Sequence, residues 1–406
     1  MSTAELQISV NELEPDKAVA RLVDHAAELG VSDLFFSSNE DHVNVSGRHL
    51  GTLRLLTIMP LDFGRRCIAH LKAAADMDVM ERRRPLDGRW VYRRKGKSTV
   101  DLRLNTIPTL YGEDIALRLL IRETRLLALA NLGLLRRDYN QLLSLLSSPS
   151  GLILVSGPTG AGKTTTLYAC LAHLNNGDRK INTIEDPIEY AVAGIRQSQV
   201  SPNLDVDFPE LLRSVLRQSP DVVMVGEIRD PVSAETAVRA ANSGHLVLAT
   251  LHAPIAAAAV QNLLGLGVHP HFLASSLLGV IAQRLIRTLC PKCRVAYELS
   301  DPAQTFAEVA RWLEPGQGQG LYGPKGCPEC RGVGYAGLTG LFEVIGVTKG
   351  LRKHIADRQP TQVIRQKAIE DGTIELRHSA LLKVAQGATT IEEVFRTVPS
   401  EFLGVD

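Results

Sequence analysis

Aromatic residues make up only 5% of this 406-residue chain, and charge of one sign is equally scarce, with 45 lysines and arginines against 44 aspartates and glutamates. That balance speaks against a domain whose main partner is a polyanion such as DNA or an acidic membrane, although a local basic patch stays open. Six cysteines are too few for a disulfide framework in a chain this long, which fits a reducing cytoplasm. The opening MSTAELQISVNELEPDK has no basic start followed by an apolar stretch, so no signal peptide is expected. Long hydrophobic runs are missing too. Residues 240–283 carry no formal charge, but Pro254, Gln261-Asn262 and His269-Pro270-His271 interrupt them short of the roughly 20 residues a spanning helix needs. Any membrane association is therefore expected to be peripheral.

What is present is apolar content of 45%, enough for two or three domains with their own cores. After an expected tail at 1–17, apolar residues at helical spacing run from Ala18 to a stop at Gly30. Strand-like runs follow at His42–Val45 and Thr52–Thr57, then a helical stretch after Pro60. Paired runs Arg89–Arg94 and Ser98–Leu104 flank Lys95-Gly96-Lys97 as a hairpin, and Ile115–Ile121 makes another strand. Residues 18–121 thus read as a small α+β domain with an antiparallel sheet, and leucine-rich 122–136 as a connector. In 137–406 short apolar strands, Leu152–Ser156, Lys180–Glu185, Val222–Val225 and Leu246–Leu251, alternate with helices such as Lys163–Leu174 and Phe208–Gln218. That is the pattern of a parallel sheet covered on both faces, an α/β fold. Thr390 and Glu393 stand at capping-box spacing in a helical tail from Leu351 to Val398.

The strongest chemical signal is Gly157-Pro158-Thr159-Gly160-Ala161-Gly162-Lys163-Thr164, with Thr165 next, between an apolar strand and a helix. Glycines let backbone N–H groups face phosphates, a lysine reaches the β- and γ-phosphates, and a threonine hydroxyl coordinates Mg²⁺. A plain glycine-rich turn would not need Lys163 and Thr164 there. In Asp221-Val-Val-Met-Val-Gly226-Glu227-Ile228-Arg229-Asp230, a glycine holds the place where an aspartate usually ends such a strand, and Glu227 can polarise an attacking water. The competing reading is a surface Glu–Arg pair at a strand exit. Thr183-Ile184-Glu185-Asp186-Pro187-Ile188-Glu189 crowds three carboxylates at another strand end, which calls for a cation nearby. His245 and His252 bracket the strand Leu246–Leu251, so a straight strand puts them at opposite ends. His252 is read as a phosphate- or relay-sensing group, whereas His245 is as readily structural. Cys290-Pro-Lys-Cys293 and Cys327-Pro-Glu-Cys330 can supply four thiolates to a closed zinc site over 290–335, with redox chemistry as the alternative. Cys67 and Cys170 read as core residues.

Together these motifs resemble the type II secretion and type IV pilus assembly ATPases, the GspE and PilB relatives. The resemblance runs from Ala18 to Val398 and rests on GPTGAGKTTT, TIEDPIEY, DVVMVGEIRD, GHLVLATLH, the cysteine pairs and GATTIEEVFRTV. It implies a RecA-like P-loop ATPase domain behind a PAS-like N2 domain, with ATP, Mg²⁺ and Zn²⁺ as cofactors. It implies a homo-hexameric motor that powers pilin or pseudopilin assembly. Its expected location is the inner face of the cytoplasmic membrane, with platform and docking proteins as partners and no nucleic acid. Glu227 becomes the catalytic glutamate, Glu185 an aspartate-box residue near the metal water, and His245 and His252 the two family histidines. Asp101-Leu102-Arg103-Leu104 with Gly112-Glu113 and Arg118 resembles an N2 segment in which two arginines act on the γ-phosphate, so Arg103 and Arg118 are arginine-finger candidates. Departures occur at Val31-Ser32-Asp33-Leu34-Phe35-Phe36 and Arg48-His49-Leu50-Gly51, and a further N-terminal domain found in many members is not expected here. A nucleic-acid motor and a non-hydrolysing nucleotide-binding scaffold are the competing functions.

Overall fold

In the computed structural model, which describes residues 6–94, 96–121, 128–201, 204 and 206–404, the first helix (α1, Pro15–Leu29) opens on a proline and closes where Gly30 turns left-handed (φ +69°). The rest of the first unit, Met1–Arg125 with Lys325–Gly334, follows the expected α+β order. Its elements are β1 (Val31–Ser38), β2 (His42–His49), β3 (Thr52–Pro60), α2 (Leu61–Ala74), β4 (Leu86–Tyr92), β5 (Val100–Thr109) and β6 (Gly112–Ile121). They form a six-stranded antiparallel sheet in the order β3-β2-β1-β6-β5-β4. Leu22 of α1, Leu71 of α2 and Phe36, Val43, Leu102 and Leu117 of the sheet close a common core. Residues 6–10 of the expected tail are packed as well: Leu6 and Val10 are buried, and the Ile8 N–H donates to the Leu56 carbonyl at 2.9 Å. The hairpin expected around Gly96 is β4 against β5, and Lys95 at its turn lies outside the described residues, as do 122–127 of the expected connector.

The second unit, Leu126–Pro324 with Tyr335–Asp406, opens on α3 (Arg136–Leu146). It continues as β7 (Gly151–Ser156), α4 (Lys163–Leu174), β8 (Ile181–Glu185), β9 (Arg196–Gln199), α5 (Phe208–Leu216), β10 (Val222–Val225), α6 (Pro231–Asn242), β11 (Leu246–Leu251) and α7 (Ala256–Gly265). Then come α8 (Pro270–Ser276), β12 (Leu277–Leu289), β13 (Val295–Glu298), α9 (Pro302–Thr305), β14 (Gly320–Gly323) and β15 (Tyr335–Gly346). The chain closes with α10 (Lys349–Ala356), α11 (Thr361–Glu370), α12 (Leu376–Ala385), α13 (Ile391–Thr397) and α14 (Ser400–Leu403). Seven strands line up as β15-β12-β7-β11-β10-β8-β9, parallel except for β15 against β12. Every residue of β7, β8, β10 and β11 is buried, as continuous apolar strands under two helical layers require. The C-terminal ends of β7, β11, β10 and β8 therefore stand side by side, which is where an open α/β sheet binds ligands. No helix among the described residues is long and apolar enough to cross a membrane.

β12 and β15 have no counterpart in the strand pattern read from the sequence. β12 sits in the uncharged region and β15 follows the cysteine segment, and their long antiparallel pairing, Gly279↔Gly346 to Leu289↔Tyr335, is fixed by non-local contact. The capping box at the tail is half realised. The Thr390 hydroxyl accepts from the Glu393 N–H at 3.1 Å, but the Glu393 carboxylate turns to β12, accepting from the Arg287 backbone N–H (2.9 Å) and side chain (2.8 Å) and from Arg396 (2.6 Å). Burial by itself would raise the Glu393 carboxyl pKa, and the arginine hydrogen bonds overcome it and hold it below the ordinary 4.5. Glu393→Ala is expected to cost about 3–5 kcal/mol by removing the buried carboxylate that Arg287 and Arg396 share. Because the folded pKa is lowered, the contribution of Glu393 is complete above the unfolded value and is lost as pH falls through the folded one. Melting temperature measured from pH 6 down to pH 3 should thus fall more steeply in wild type than in Glu393→Gln; parallel curves would remove this carboxylate from the acid response.

Candidate active site

β7 leaves the sheet at Ser156 and the chain curls through Gly157 (φ +150°), Gly160 (φ +76°) and Gly162 (φ +84°) into α4. At Gly157 the requirement is steric as well, since a Cβ would stand 2.4 Å from the Gln283 carbonyl oxygen of β12. The Gln283 side-chain amide donates to the Ala161 carbonyl at 2.6 Å, so one residue of β12 braces the loop from outside. Gly162, the residue before α4, offers no side-chain cap, and Thr164 and Thr165 are exposed on the helix's first turn. A glycine loop running into an uncapped helix start presents backbone N–H groups to an anion. Lys163 lies along this loop, donating from Nζ to the carbonyls of Gly157 (2.8 Å) and Pro158 (3.2 Å). Burial pushes its pKa down while the charge of Glu227 pulls it up.

The neighbouring strand ends supply the rest. Beyond β10, the Gly226 N–H donates to the Ile184 carbonyl at the end of β8 (2.7 Å), and a Cβ at Gly226 would approach that oxygen to 3.0 Å. This close approach accounts for a glycine where a carboxylate residue is usual. Glu227 follows, with one carboxylate oxygen 2.8 Å from His252 Nε2 and the other accepting from Arg229 at 2.5 Å. That hydrogen bond raises the Arg229 pKa, and Arg229 also stands 3.8 Å from the Asp186 carboxylate. His252 Nδ1 lies 3.3 Å from Lys163 Nζ, and the His252 carbonyl accepts from Asn262 of α7 at 2.6 Å. Lys163, His252, Glu227, Arg229 and Asp186 thus form one chain of contacts beside a cleft of about 600 Å³ that Glu227, His252, Gln261 and Asn262 help to line.

Two of the expected residues point elsewhere. Glu185 is 3% exposed, and its carboxylate accepts from Thr183 (2.6 Å), Gln197 (3.0 Å) and the Tyr168 hydroxyl, so it serves the core while its neighbour Asp186 reaches the site. His245 precedes β11, its ring against the Ala240 carbonyl (3.0 Å), a strand length of roughly 20 Å from the loop. Arg103 and Arg118 face each other in register across β5 and β6 of the first unit, and Arg118 also pairs with Asp33 at 3.1 Å. Like charges placed directly opposite cost stability, and the Arg118–Asp33 ion pair offsets part of that cost. Sequence reasoning passed over Gln283, Asn262 and the role of Arg229; only Arg229, inside the GEIRD segment, left a readable signal.

The sulfurs of Cys290, Cys293, Cys327 and Cys330 all lie within 4.8 Å of one another, and none is in a disulfide. The N–H groups of Cys327 and Gly334 donate to the Cys330 sulfur at 3.2 Å, the arrangement of a metal-binding thiolate turn. A metal ion fits this cluster.

The chain matches the family described as "Type II/IV secretion system protein" over residues 12–396. It is 41% identical to the type II secretion system protein E of Dickeya dadantii over 392 residues, 96% of this chain and 77% of that one. It is 41% identical to the type II secretion system ATPase E of Vibrio cholerae over 95% of this chain and 76% of that one. With the type IV pilus assembly ATPase PilB of Pseudomonas aeruginosa the identity is 40% over 94% of this chain and 68% of the other. The fold is shared with the Legionella pneumophila ATPase DotB (TM-score 0.69, 19% identity, 96% of each chain) and the pilus retraction motor PilT (TM-score 0.61, 24% identity, 93% of this chain and 96% of that one). These relatives are secretion and pilus ATPases, which sets the nucleic-acid motor aside. The chain belongs to the type II/IV secretion system protein family and is one of its ATPases.

Proposed function

We propose that this chain is a ring-forming motor that hydrolyses Mg²⁺-ATP to drive pilin or pseudopilin assembly at the inner face of the cytoplasmic membrane, through platform and docking proteins. The observation that carries the reading is the run of contacts from Lys163 through His252 to Glu227, which sets a carboxylate and a cation on either side of one histidine at the open end of the parallel sheet. In this reading the backbone N–H groups of 157–165 hold the β- and γ-phosphates, and Lys163 moves from its loop carbonyls onto them. Glu227 takes the proton of the attacking water as that oxygen forms its bond to the γ-phosphorus, and the bond to the ADP oxygen breaks. His252, bonded to Glu227 and near Lys163, reports phosphate occupancy to the water-activating carboxylate. Thr164 and a neighbouring carboxylate such as Asp186 would hold Mg²⁺, which neutralises phosphate charge when bound. Arg103 and Arg118 are the fingers that complete the site on domain closure, and the first unit is the PAS-like N2 domain of a hexamer. The cysteine cluster holds a structural Zn²⁺ that orders a segment with few core residues of its own.

Steady-state ATP hydrolysis per protomer should rise with protein concentration. Glu227→Gln should still bind ATP while losing about 10²–10⁴-fold in kcat; activity equal to wild type would end its catalytic assignment, and zero activity in both would favour the scaffold reading. Arg103→Ala is expected to lower kcat by about 10³-fold, with an unchanged rate demoting it to a structural residue. Elemental analysis should find one zinc per chain, and chelation should lower the melting temperature. Zinc-free protein with the same melting temperature would overturn the structural-metal assignment.

A further inference from the structure

Apart from the phosphate loop, the second unit contains a cavity of about 780 Å³, lined by the start of α3, by Trp312 and by α12. That volume lies within the roughly 300–1,000 Å³ of sites that take nucleotide-sized ligands. Three cations line it: Arg136 and Arg137 in the first turn of α3, and Lys383 of α12. Leu135, the residue before α3, gives that helix no side-chain cap, so its first N–H groups add to the same positive end. Lys383 is the informative residue. It is only 8% exposed on a helix whose other buried positions are mostly Leu, Ala and Val, and among the described residues its ammonium makes no hydrogen bond and no ion pair. Arg136 and Arg137 likewise pair with no carboxylate among the described residues.

A buried ammonium without a hydrogen-bond acceptor is costly, and packing at this position would be served better by methionine or leucine. The nearest opposing charge is Asp138, itself buried, with Oδ2 making no hydrogen bond. Its carboxyl is pushed up to about 7, first by burial and against the pull of Arg137 and Lys383, so near neutrality it is only partly ionised and offsets part of the charge of the three cations. Glu314 on the rim is exposed and bonded to Gln317. Trp312 adds a half-buried aromatic wall beside the cations. We propose that this cavity is a second, regulatory site for a phosphate-bearing ligand of nucleotide size, with Arg136, Arg137 and Lys383 holding the phosphates and Trp312 the ring. Arginine forks and a lysine point charge are the groups that recognise phosphate, and an indole face suits a base. The site needs no part of the phosphate loop, so its failure would leave the catalytic reading untouched.

The chain has two tryptophans, so Trp90→Phe makes Trp312 the sole reporter in the full-length protein. With Lys163→Ala added to disable the phosphate loop, titration with ADP should change Trp312 fluorescence saturably. Lys383→Met and Arg136→Gln, each tested separately, should weaken that binding by about 10-fold or more. Melting temperature should hold or rise in Lys383→Met, and Arg136→Gln, on the exposed surface, guards against a folding artefact. Absence of a saturable change up to millimolar ADP would overturn the proposal. So would a signal that appears only with Lys163 intact, or binding that neither Lys383→Met nor Arg136→Gln weakens. A fall in melting temperature in Lys383→Met with unchanged ADP binding would reduce Lys383 to a structural counter-charge for Asp138 and would also overturn it.

Discussion

The second unit depends on backbone approaching backbone more closely than a side chain allows. Gly157 sits against the Gln283 carbonyl at a distance that excludes a Cβ, and Gly226 against the Ile184 carbonyl at one that leaves a Cβ tight. These contacts bring the ends of β7, β10 and β8 into one plane, with Lys163, Glu227 and Asp186 on adjoining loops. A side chain at Gly157 would force the loop away from β12, whereas one at Gly226 would need a shift of a few tenths of an ångström at the end of β8. The arrangement is stiff where it must be, because β12 holds the loop through both its main chain and the Gln283 amide.

Within that frame the site's charges alternate: lysine, histidine, glutamate, arginine and aspartate follow one another in contact. Each carboxylate thus has a cationic partner within 4 Å: Glu227 has Arg229 at 2.5 Å and Asp186 has Arg229 at 3.8 Å. The same logic places Glu393 between Arg287 and Arg396, where the role is structural and ties α13 to β12. It is broken at Lys383, a buried cation without a hydrogen bond, and that exception is what marks the cavity beside α3.

The parallel strands and the phosphate loop were legible because both are local. Continuous apolar runs at Leu152–Ser156 and Leu246–Leu251 and glycines ahead of Lys163 state their structure within a few residues. Glu227 was legible through its place two residues past the end of β10. Glu185 and Asp186 show the limit. Adjacent residues on a strand face opposite sides, so a choice between them turns on one step of register that the TIEDPIEY string does not reveal. β12 and β15 were missed because their pairing spans the whole cysteine segment, and Gln283 was missed with them.

Sequence by itself determined the α/β layering, the glycine loop ahead of Lys163, the place of Glu227 just past a strand and the cysteine pairs, since each depends on residue type at short spacing. Only the tertiary structure decided which carboxylate of the aspartate box meets Arg229, that His245 stands a strand length from His252, and that Gln283 braces the loop. It also decided that a lysine of the C-terminal helices is buried beside an uncapped helix start. These are meetings of segments far apart in the chain, and burial, electrostatics and steric exclusion at such meetings exist only once the sheet has closed.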